Sequence, residues 1–279
     1  MFKIGMDAEF MAYSKGRVVF PKLSSPEDPI RRSGCDEFGH CVEIRPEETS
    51  DKETLIANIA TAIGKLPQQY KYFTENIHIV KKEEYYKLIR SSGSTKELPV
   101  CKNIYGSDIL DDSDIEGQER KQGNRVLYCG MHIHVSTFLE KVVPVESDGK
   151  TIHGRTKVPL DINKQSLTAL FDTFLYEPLR EDKNFASGKF RMPGYYEEKS
   201  DSHFEYRSLG SSALTPVRVA IIFQVISEIL NNYDSLMVES LTAKGKAWES
   251  ILRISERLRK TKESHADLKK VWTPWNCIG

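Results

Sequence analysis

Ionisable side chains, most of them of the kinds that hold metal ions, recur at alternate positions in four short segments of the chain. In chain order the pairs are Asp7 and Glu9, Glu43 and Arg45, His132 and His134, and Glu205 and Arg207. Clustered carboxylates recruit Mg²⁺ or Mn²⁺, and Mn²⁺ tolerates a histidine ligand more readily. Two metals beside arginines are the usual apparatus for handling nucleotide phosphates. The pattern therefore predicts a metal-dependent site for phosphoryl transfer or hydrolysis.

Each pair lies in a segment whose alternation is typical of a β-strand, with side chains pointing to opposite faces in turn. The predicted strands are Lys3–Phe10, Phe38–Arg45, Gly130–Ser136 and His203–Leu209. Apolar residues such as Ile4, Met6 and Ala8 fill the intervening positions of the first segment. One apolar and one polar face favour an antiparallel sheet with one side on the core. If the strands share one sheet, their ionisable side chains collect on the other side.

Ordinary solvation of a sheet face is the simpler interpretation of this alternation. A merely solvated face would mix Thr, Lys, Ser and Gln, whereas four carboxylates and two histidines would crowd this one. Like charges repel unless something cationic neutralises them. The residue types therefore favour a binding site.

Four longer segments have the apolar spacing of amphipathic helices. They cover residues 51–73, 160–180, 215–233 and 248–262. Pro67 should end or kink the first, and the third, which opens with Thr215 and Pro216 and is then nearly all apolar, should be the most buried. Polar stretches near 81–124 and 140–158 are predicted to be loop insertions. Since no boundary divides the chain, we expect a single domain over residues 1–279.

Composition excludes several classes of protein. The 279 residues include 40 Lys and Arg against 40 Asp and Glu, which argues against a nucleic-acid binder held by a basic field. No apolar run approaches the ~20 residues that span a bilayer, and acids interrupt the N-terminus where a signal peptide would stay apolar. Five cysteines without a C-x-x-C motif indicate reduced thiols in a cytoplasmic protein, and Cys35 and Cys41 lack the second pair that structural zinc needs.

The four segments together resemble the phage-type carboxylate–amine (COOH-NH2) ligases. The motifs that carry the resemblance are G-M-D-A-E-F, V-E-I-R-P with Asp36 upstream, G-M-H-I-H-V-S and F-E-Y-R-S-L. That family belongs to the glutamine synthetase-like superfamily, which includes the glutamate–cysteine ligases. The resemblance covers most of the chain and is weaker in residues 81–124 and after Tyr233. It implies an α+β catalytic domain in which a curved, mostly antiparallel sheet carries helices on one face.

The resemblance also implies a reaction, namely ATP-dependent formation of an amide or peptide bond. A substrate carboxylate attacks the γ-phosphate to give an acyl phosphate and ADP, and an amine then displaces phosphate. The implied cofactors are ATP and Mg²⁺ or Mn²⁺, and the implied partners are small-molecule or peptide carboxylates and amines. A phage-encoded enzyme would act in the cytoplasm of its bacterial host. The superfamily often assembles, which leaves a homo-oligomer open.

Site residues carry over from the family pattern one by one. The implied metal ligands are Asp7, Glu9, Asp36, Glu43, His132 and Glu205. Asp7 is one methylene shorter than the family's usual Glu, so a water could stand between it and the metal, and Asp36 could instead be a turn residue beside Gly34. Either histidine of the H-x-H pair could bind metal. We favour His132, with His134 contacting nucleotide or substrate.

The implied catalytic residues are Arg207, Arg45 and Arg191, and Arg180 is an implied nucleotide contact. Arg207 would contact the transferring phosphoryl group as well as the nucleotide, and Arg45 would bind phosphate or the substrate carboxylate. Arg180 and Arg191 border a basic, Gly-containing segment that in the family contacts phosphate or acyl phosphate, although an exposed loop would explain the same charges. Two alternatives stay open: a metal-dependent hydrolase that uses the same acids, and a catalytically inactive phage protein that keeps the fold.

Overall fold

Among the residues that the computed structural model describes, ten strands form an antiparallel sheet that is curled into a half-barrel. The structure describes residues 1–19, 21, 33–35, 42–74, 77–81, 102–105, 124–147, 150–160, 162–180, 193–261 and 267–272. The strands are β1 (Phe2–Ser14), β2 (Arg17–Val19), β3 (Ser33–Cys35), β4 (Val42–Ile44), β5 (Lys71–Phe73), β6 (Ile77–Lys81), β7 (Lys102–Asn103), β8 (Asn124–Tyr128), β9 (Gly130–Ser147), β10 (Lys150–Pro159), β11 (Tyr195–Ser200) and β12 (His203–Gly210). Strands β6 and β8 form a separate two-stranded sheet.

The order along the main sheet is β3-β4-β1-β9-β12-β11-β7, with β10 beside β9 and both β2 and β5 beside β1. All these pairings are antiparallel. The four predicted strands therefore lie next to one another as β4, β1, β9 and β12, which confirms that they share one sheet. Of the predicted second strand, residues 42–44 are in β4, while residues 38–41 lie outside the described residues.

Strand register aligns the ionisable side chains across neighbouring strands. Glu9 of β1 lies opposite Glu43 of β4, Asp7 lies opposite His132 of β9, and Glu205 of β12 lies opposite His134. Strand β12 carries one extra residue between Tyr206, which pairs with Ile133, and Leu209, which pairs with Met131. Such a bulge re-aims the side chains beside it, and Arg207 lies within it.

Helices cover the apolar side of the sheet. They are α1 (Lys52–Gly64), α2 (Lys164–Phe171), a π-helical turn (Asp172–Tyr176), α3 (Glu177–Leu179), a 3₁₀ turn (Ser211–Ala213), α4 (Pro216–Asn231), α5 (Tyr233–Glu239), α6 (Lys246–Lys260) and α7 (Leu268–Val271). Ile4 and Met6 of β1, Ile133 of β9 and Ile222 of α4 are fully buried in the same core. The sheet is thus apolar on the helix side and ionisable on the other, in an α+β arrangement.

Local signals set the helix starts. Asp51 caps α1 by accepting a 2.8 Å hydrogen bond from the Thr54 amide, and Thr215 caps α4 by accepting from the Arg218 amide at 3.3 Å. The prediction of a helix over 51–73 was wrong in its second part, because α1 ends at Gly64 and residues 71–73 form β5. Fully buried Tyr72 pairs with Ala12 there, so tertiary pairing overrides the helical spacing after Pro67.

Residues 140–158 were predicted to be a loop, and this was also wrong. Residues 140–147 and 150–158 lie in a long hairpin, in which β9 continues to Ser147 and β10 returns from Lys150 to Pro159. Backbone hydrogen bonds hold such a hairpin whether or not its residues are apolar, so the polar composition hid it. Most of the other predicted insertion, residues 81–124, lies outside the described residues. Within the described part of the chain, no helix is long and apolar enough to cross a membrane.

Candidate metal centre

The polar face of the sheet brings together the four predicted pairs of ionisable residues. His132 lies between Glu9 and Glu205. Its Nε2 atom is 3.9 Å from Glu9 Oε1, and its Nδ1 atom is 2.9 Å from Glu205 Oε1. Asp7 Oδ2 lies 3.1 Å from His134 Nε2 and 3.9 Å from Arg45 Nε. One sheet face thus collects four carboxylates, two imidazoles and two guanidinium groups.

Glu9, Glu43 and His132, here called the acidic cluster, each offer one ligand atom within 4.8 Å of the others. The register of β1 against β4 places the two glutamates side by side. Glu9 is fixed because its Oε2 atom accepts a 2.6 Å hydrogen bond from the Gly130 amide. Two carboxylates and an imidazole at this spacing form a donor set that fits Mg²⁺ or Mn²⁺.

The tautomer of His132 follows from its partner. Burial, and next the charge of Arg207, lower the pKa of His132, against the opposing effect of Glu205, so the imidazole is neutral at pH 7. An ionised Glu205 can only accept, so His132 Nδ1 carries the hydrogen and donates to it. This leaves the Nε2 lone pair on the side of Glu9. A carboxylate that orients a histidine in this way is a common feature of metal sites.

Glu205 is held by three cationic or N–H groups. Its Oε1 atom accepts from Arg207 Nη1 at 2.7 Å as well as from His132, and its Oε2 atom lies 2.9 Å from Lys199 Nζ. Burial by itself raises the pKa of Glu205, but interactions with His132, and next with Arg207, hold it well below its usual range. Glu205 is therefore ionised and orients His132. Direct metal ligation by Glu205 stays a prediction.

Glu43 shows that the acidic cluster is short of positive charge. Arg45 contacts it through Nε at 2.9 Å and Nη2 at 2.7 Å, both to the same oxygen, Oε2. Burial nevertheless raises the pKa of Glu43 to about 8, and the charges of Asp7 and Glu9 add to this rise against the opposing effect of Arg45. A bound cation would relieve this repulsion.

His134 has the opposite electrostatic balance. Burial lowers its pKa, but the charge of Asp7, and then those of Glu205 and Glu48, outweigh burial and raise the pKa to about 9. Its Nε2 atom is close to Asp7 without the alignment of a hydrogen bond. His134 is thus cationic at neutral pH in the metal-free protein, and on this face it partly neutralises Asp7.

Two pairs of residues on this face were missed from the sequence. Glu197 and Lys199 of β11 lie beside Glu205, and Glu197 Oε2 accepts from Arg207 Nη1 at 2.9 Å. Their two-residue spacing in Y-Y-E-E-K-S could have indicated a further strand. Glu48 and His203 also reach the face, and His203 lies within the predicted fourth strand.

Three predicted residues are not placed at the acidic cluster. Asp36 and Arg191 lie outside the described residues, so their roles stay predictions. Arg180 is exposed just after α3, in the helical layer, where its Nε atom lies 2.9 Å from Glu177 Oε2. That ion pair is formed within one helical turn, and nucleotide binding by Arg180 stays a prediction.

Comparisons with known proteins give no family for the chain. No protein-family model and no curated protein matches it. Among solved structures it is similar to the crystal structure of a bifunctional glutathione synthetase from Pasteurella multocida, with a TM-score of 0.42 and 9% identity over 95% of this chain. The match covers 41% of that protein, so this chain spans about two fifths of its length. A similarity this distant does not carry an activity from one protein to the other.

Proposed function

We propose that the chain is an ATP-dependent carboxylate–amine ligase with a glutamine synthetase-like catalytic sheet. The observation that supports it best is the convergence of Glu9, Glu43 and His132 on one sheet face, with Arg45 and Arg207 beside them. The motif order of the sequence points to the same class. Phosphoryl transfer needs charge stabilisation and positioning more than covalent chemistry from the protein, and this face offers both.

The acidic cluster would hold Mg²⁺ or Mn²⁺, which neutralises phosphate oxygens of ATP when bound. Oxygen ligands from Glu9 and Glu43 suit either ion, and the imidazole of His132 favours Mn²⁺. Glu205 contributes by keeping the Nδ1 hydrogen on His132, so that Nε2 offers its lone pair. The charge shortage at Glu43 supports a cation at this position.

Two arginines would act on the substrates. Arg207 is preorganised by Glu205 and Glu197, and its planar guanidinium can meet the negative charge that builds on the transferring phosphoryl group. Arg45 is one-third exposed, so its outer edge is accessible to a phosphate or to the carboxylate substrate. The acid and the amine are proposed as small molecules or peptides.

An ADP-release screen with Mg²⁺, ATP and pooled carboxylates and amines tests the proposal. Release that requires both a carboxylate and an amine supports a ligase. Hydrolysis of a phosphoester or peptide without ATP would instead indicate a hydrolase that uses the same acids. Failure to bind Mg²⁺–ATP in calorimetry would indicate an inactive binding protein. Glu9→Gln should abolish ADP release, whereas Glu47→Gln, at an exposed carboxylate, is the matched control.

A further inference from the structure

A second group of metal-ligating side chains lies beside the acidic cluster and shares no residue with it. Glu48, His134 and His203, here called the histidine cluster, each offer one ligand atom within 4.8 Å of the others. His134 Nδ1 and His203 Nε2 are 3.1 Å apart, and Glu48 Oε1 lies 3.3 Å from the same His203 nitrogen. Three elements supply these residues: β9, β12 and the segment after β4.

Hydrogen bonds cannot fully satisfy the three ligand atoms, His134 Nδ1, His203 Nε2 and Glu48 Oε1. His203 Nε2 carries either a hydrogen or a lone pair, yet it faces both His134 Nδ1 and Glu48 Oε1. Whichever it carries, at least one of the two contacts is poorly satisfied or shared. A divalent cation would displace the hydrogen from His134 Nδ1, releasing it to solvent, and would then accept lone pairs from all three atoms at once.

The surrounding structure holds Glu48 in position for this contact. Its second oxygen, Oε2, accepts a 2.6 Å hydrogen bond from Ser136 Oγ. Its side chain crosses directly over Gly5 of β1, where a built Cβ atom would come within 2.8 Å of Glu48 Cγ and 3.4 Å of His134 Cβ. A glycine at this place in the strand therefore lets Glu48 reach the two imidazoles.

We propose that the histidine cluster binds a divalent transition-metal ion, separate from the Mg²⁺ or Mn²⁺ of the acidic cluster. Two imidazoles and one carboxylate suit Zn²⁺, Fe²⁺ or Co²⁺ better than Mg²⁺ or Ca²⁺, which prefer all-oxygen sites. With bonds of about 2.1 Å, the 3.1 Å between the two nitrogens corresponds to an angle of about 95° at the metal. His203 and Glu48 side chains are 28% and 26% exposed, so solvent or a small ligand can complete the coordination.

Zn²⁺ retention by the EDTA-treated full chain tests the proposal without ATP or substrates. To remove binding at the acidic cluster, the Glu9→Gln protein is loaded with Zn²⁺, passed through gel filtration and measured for metal content. We expect about one equivalent of Zn²⁺. Adding either His203→Gln or Glu48→Gln should lower the affinity at least ~100-fold, since each removes one of three ligands, whereas adding Glu47→Gln should change nothing.

Co²⁺ absorption and thermal melts separate loss of a ligand from loss of folding. Bound Co²⁺ should give a visible band in the Glu9→Gln protein that His203→Gln abolishes, while both metal-free proteins melt alike. Zn²⁺ binding that is unchanged by both His203→Gln and Glu48→Gln would overturn the proposal, as would a Glu9→Gln protein that retains none. Because no nucleotide is present, neither result depends on whether the chain is a ligase.

Discussion

Replacing Glu43 with glutamine should stabilise the metal-free protein, although it removes a buried group that contacts Arg45. The folded chain keeps Glu43 only 4% exposed, on the same face as Asp7 and Glu9. Burial, with the charges of those two acids, raises its pKa from 4.5 to about 8. A carboxyl group whose pKa rises on folding costs stability wherever the unfolded chain would ionise it.

The magnitude follows from the size of that shift. The destabilisation is absent below pH 4.5, where the carboxyl is protonated in both the folded and the unfolded chain. It grows as pH rises and is complete above about pH 8, where the folded chain ionises too. At pH 7, which lies about 2.5 units above the ordinary pKa of 4.5, the destabilisation is at most ~3.5 kcal/mol at ~1.4 kcal/mol per unit. Glutamine does not titrate, but it gives up the ion pair with Arg45. We therefore expect a net gain of about 1–3 kcal/mol, which corresponds to ~2–12 °C in Tm at about 2–4 °C per kcal/mol.

Thermal unfolding followed by circular dichroism in EDTA measures this effect. Glu43→Gln should have about the same Tm as the wild type near pH 5 and a higher Tm at pH 8, because the destabilisation grows only as the Glu43 carboxyl of the unfolded chain ionises. Glu47→Gln, the exposed neighbour, should follow the wild type at both values. A Glu43→Gln protein that melts lower at both pH values would refute the argument and make the contact with Arg45 structural. With saturating Mn²⁺ the order should reverse, since the variant loses a proposed ligand.

Three further predictions test neighbouring parts of the face. Arg207→Lys keeps the charge but loses the planar fork, so in the ADP-release assay kcat should fall at least ~100-fold with a modest change in the KM for ATP; near-wild-type turnover would exclude a phosphate clamp. In the metal-free protein the NMR titration of His134 should give a pKa of about 9, mainly because Asp7 outweighs burial, and a value below 6.5 would contradict this balance. Gly5→Ala should push Glu48 away from the two imidazoles and weaken Zn²⁺ retention, and unchanged retention would show that the glycine is not needed.

The sequence by itself determined the four strands that carry the site and the two characters of their faces. Alternation has a period of two in any strand, so Asp7 and Glu9 could be assigned to one side and Ile4 and Met6 to the other without a structure. Helix starts were equally local, since the Thr215 cap acts on an amide three residues away. The four strands adjoin in one sheet, and Glu9 and Glu205 both lie close to His132. These observations confirm the prediction that the ionisable faces of the strands meet.

Only the tertiary structure decided which ionisable groups meet. Strand register depends on pairing between distant segments, so the contact of Glu9 with Glu43 cannot be read from their spacing. The residues of the histidine cluster are far apart in sequence and meet because β9 pairs with β12 and because Gly5 leaves room for Glu48. Long-range pairing with β1 also turned residues 71–73 into a strand, and pairing within a hairpin did the same for residues 140–147 and 150–158. Local pattern fixes which way a side chain points, whereas the partner it meets depends on hydrogen bonds made by other parts of the chain.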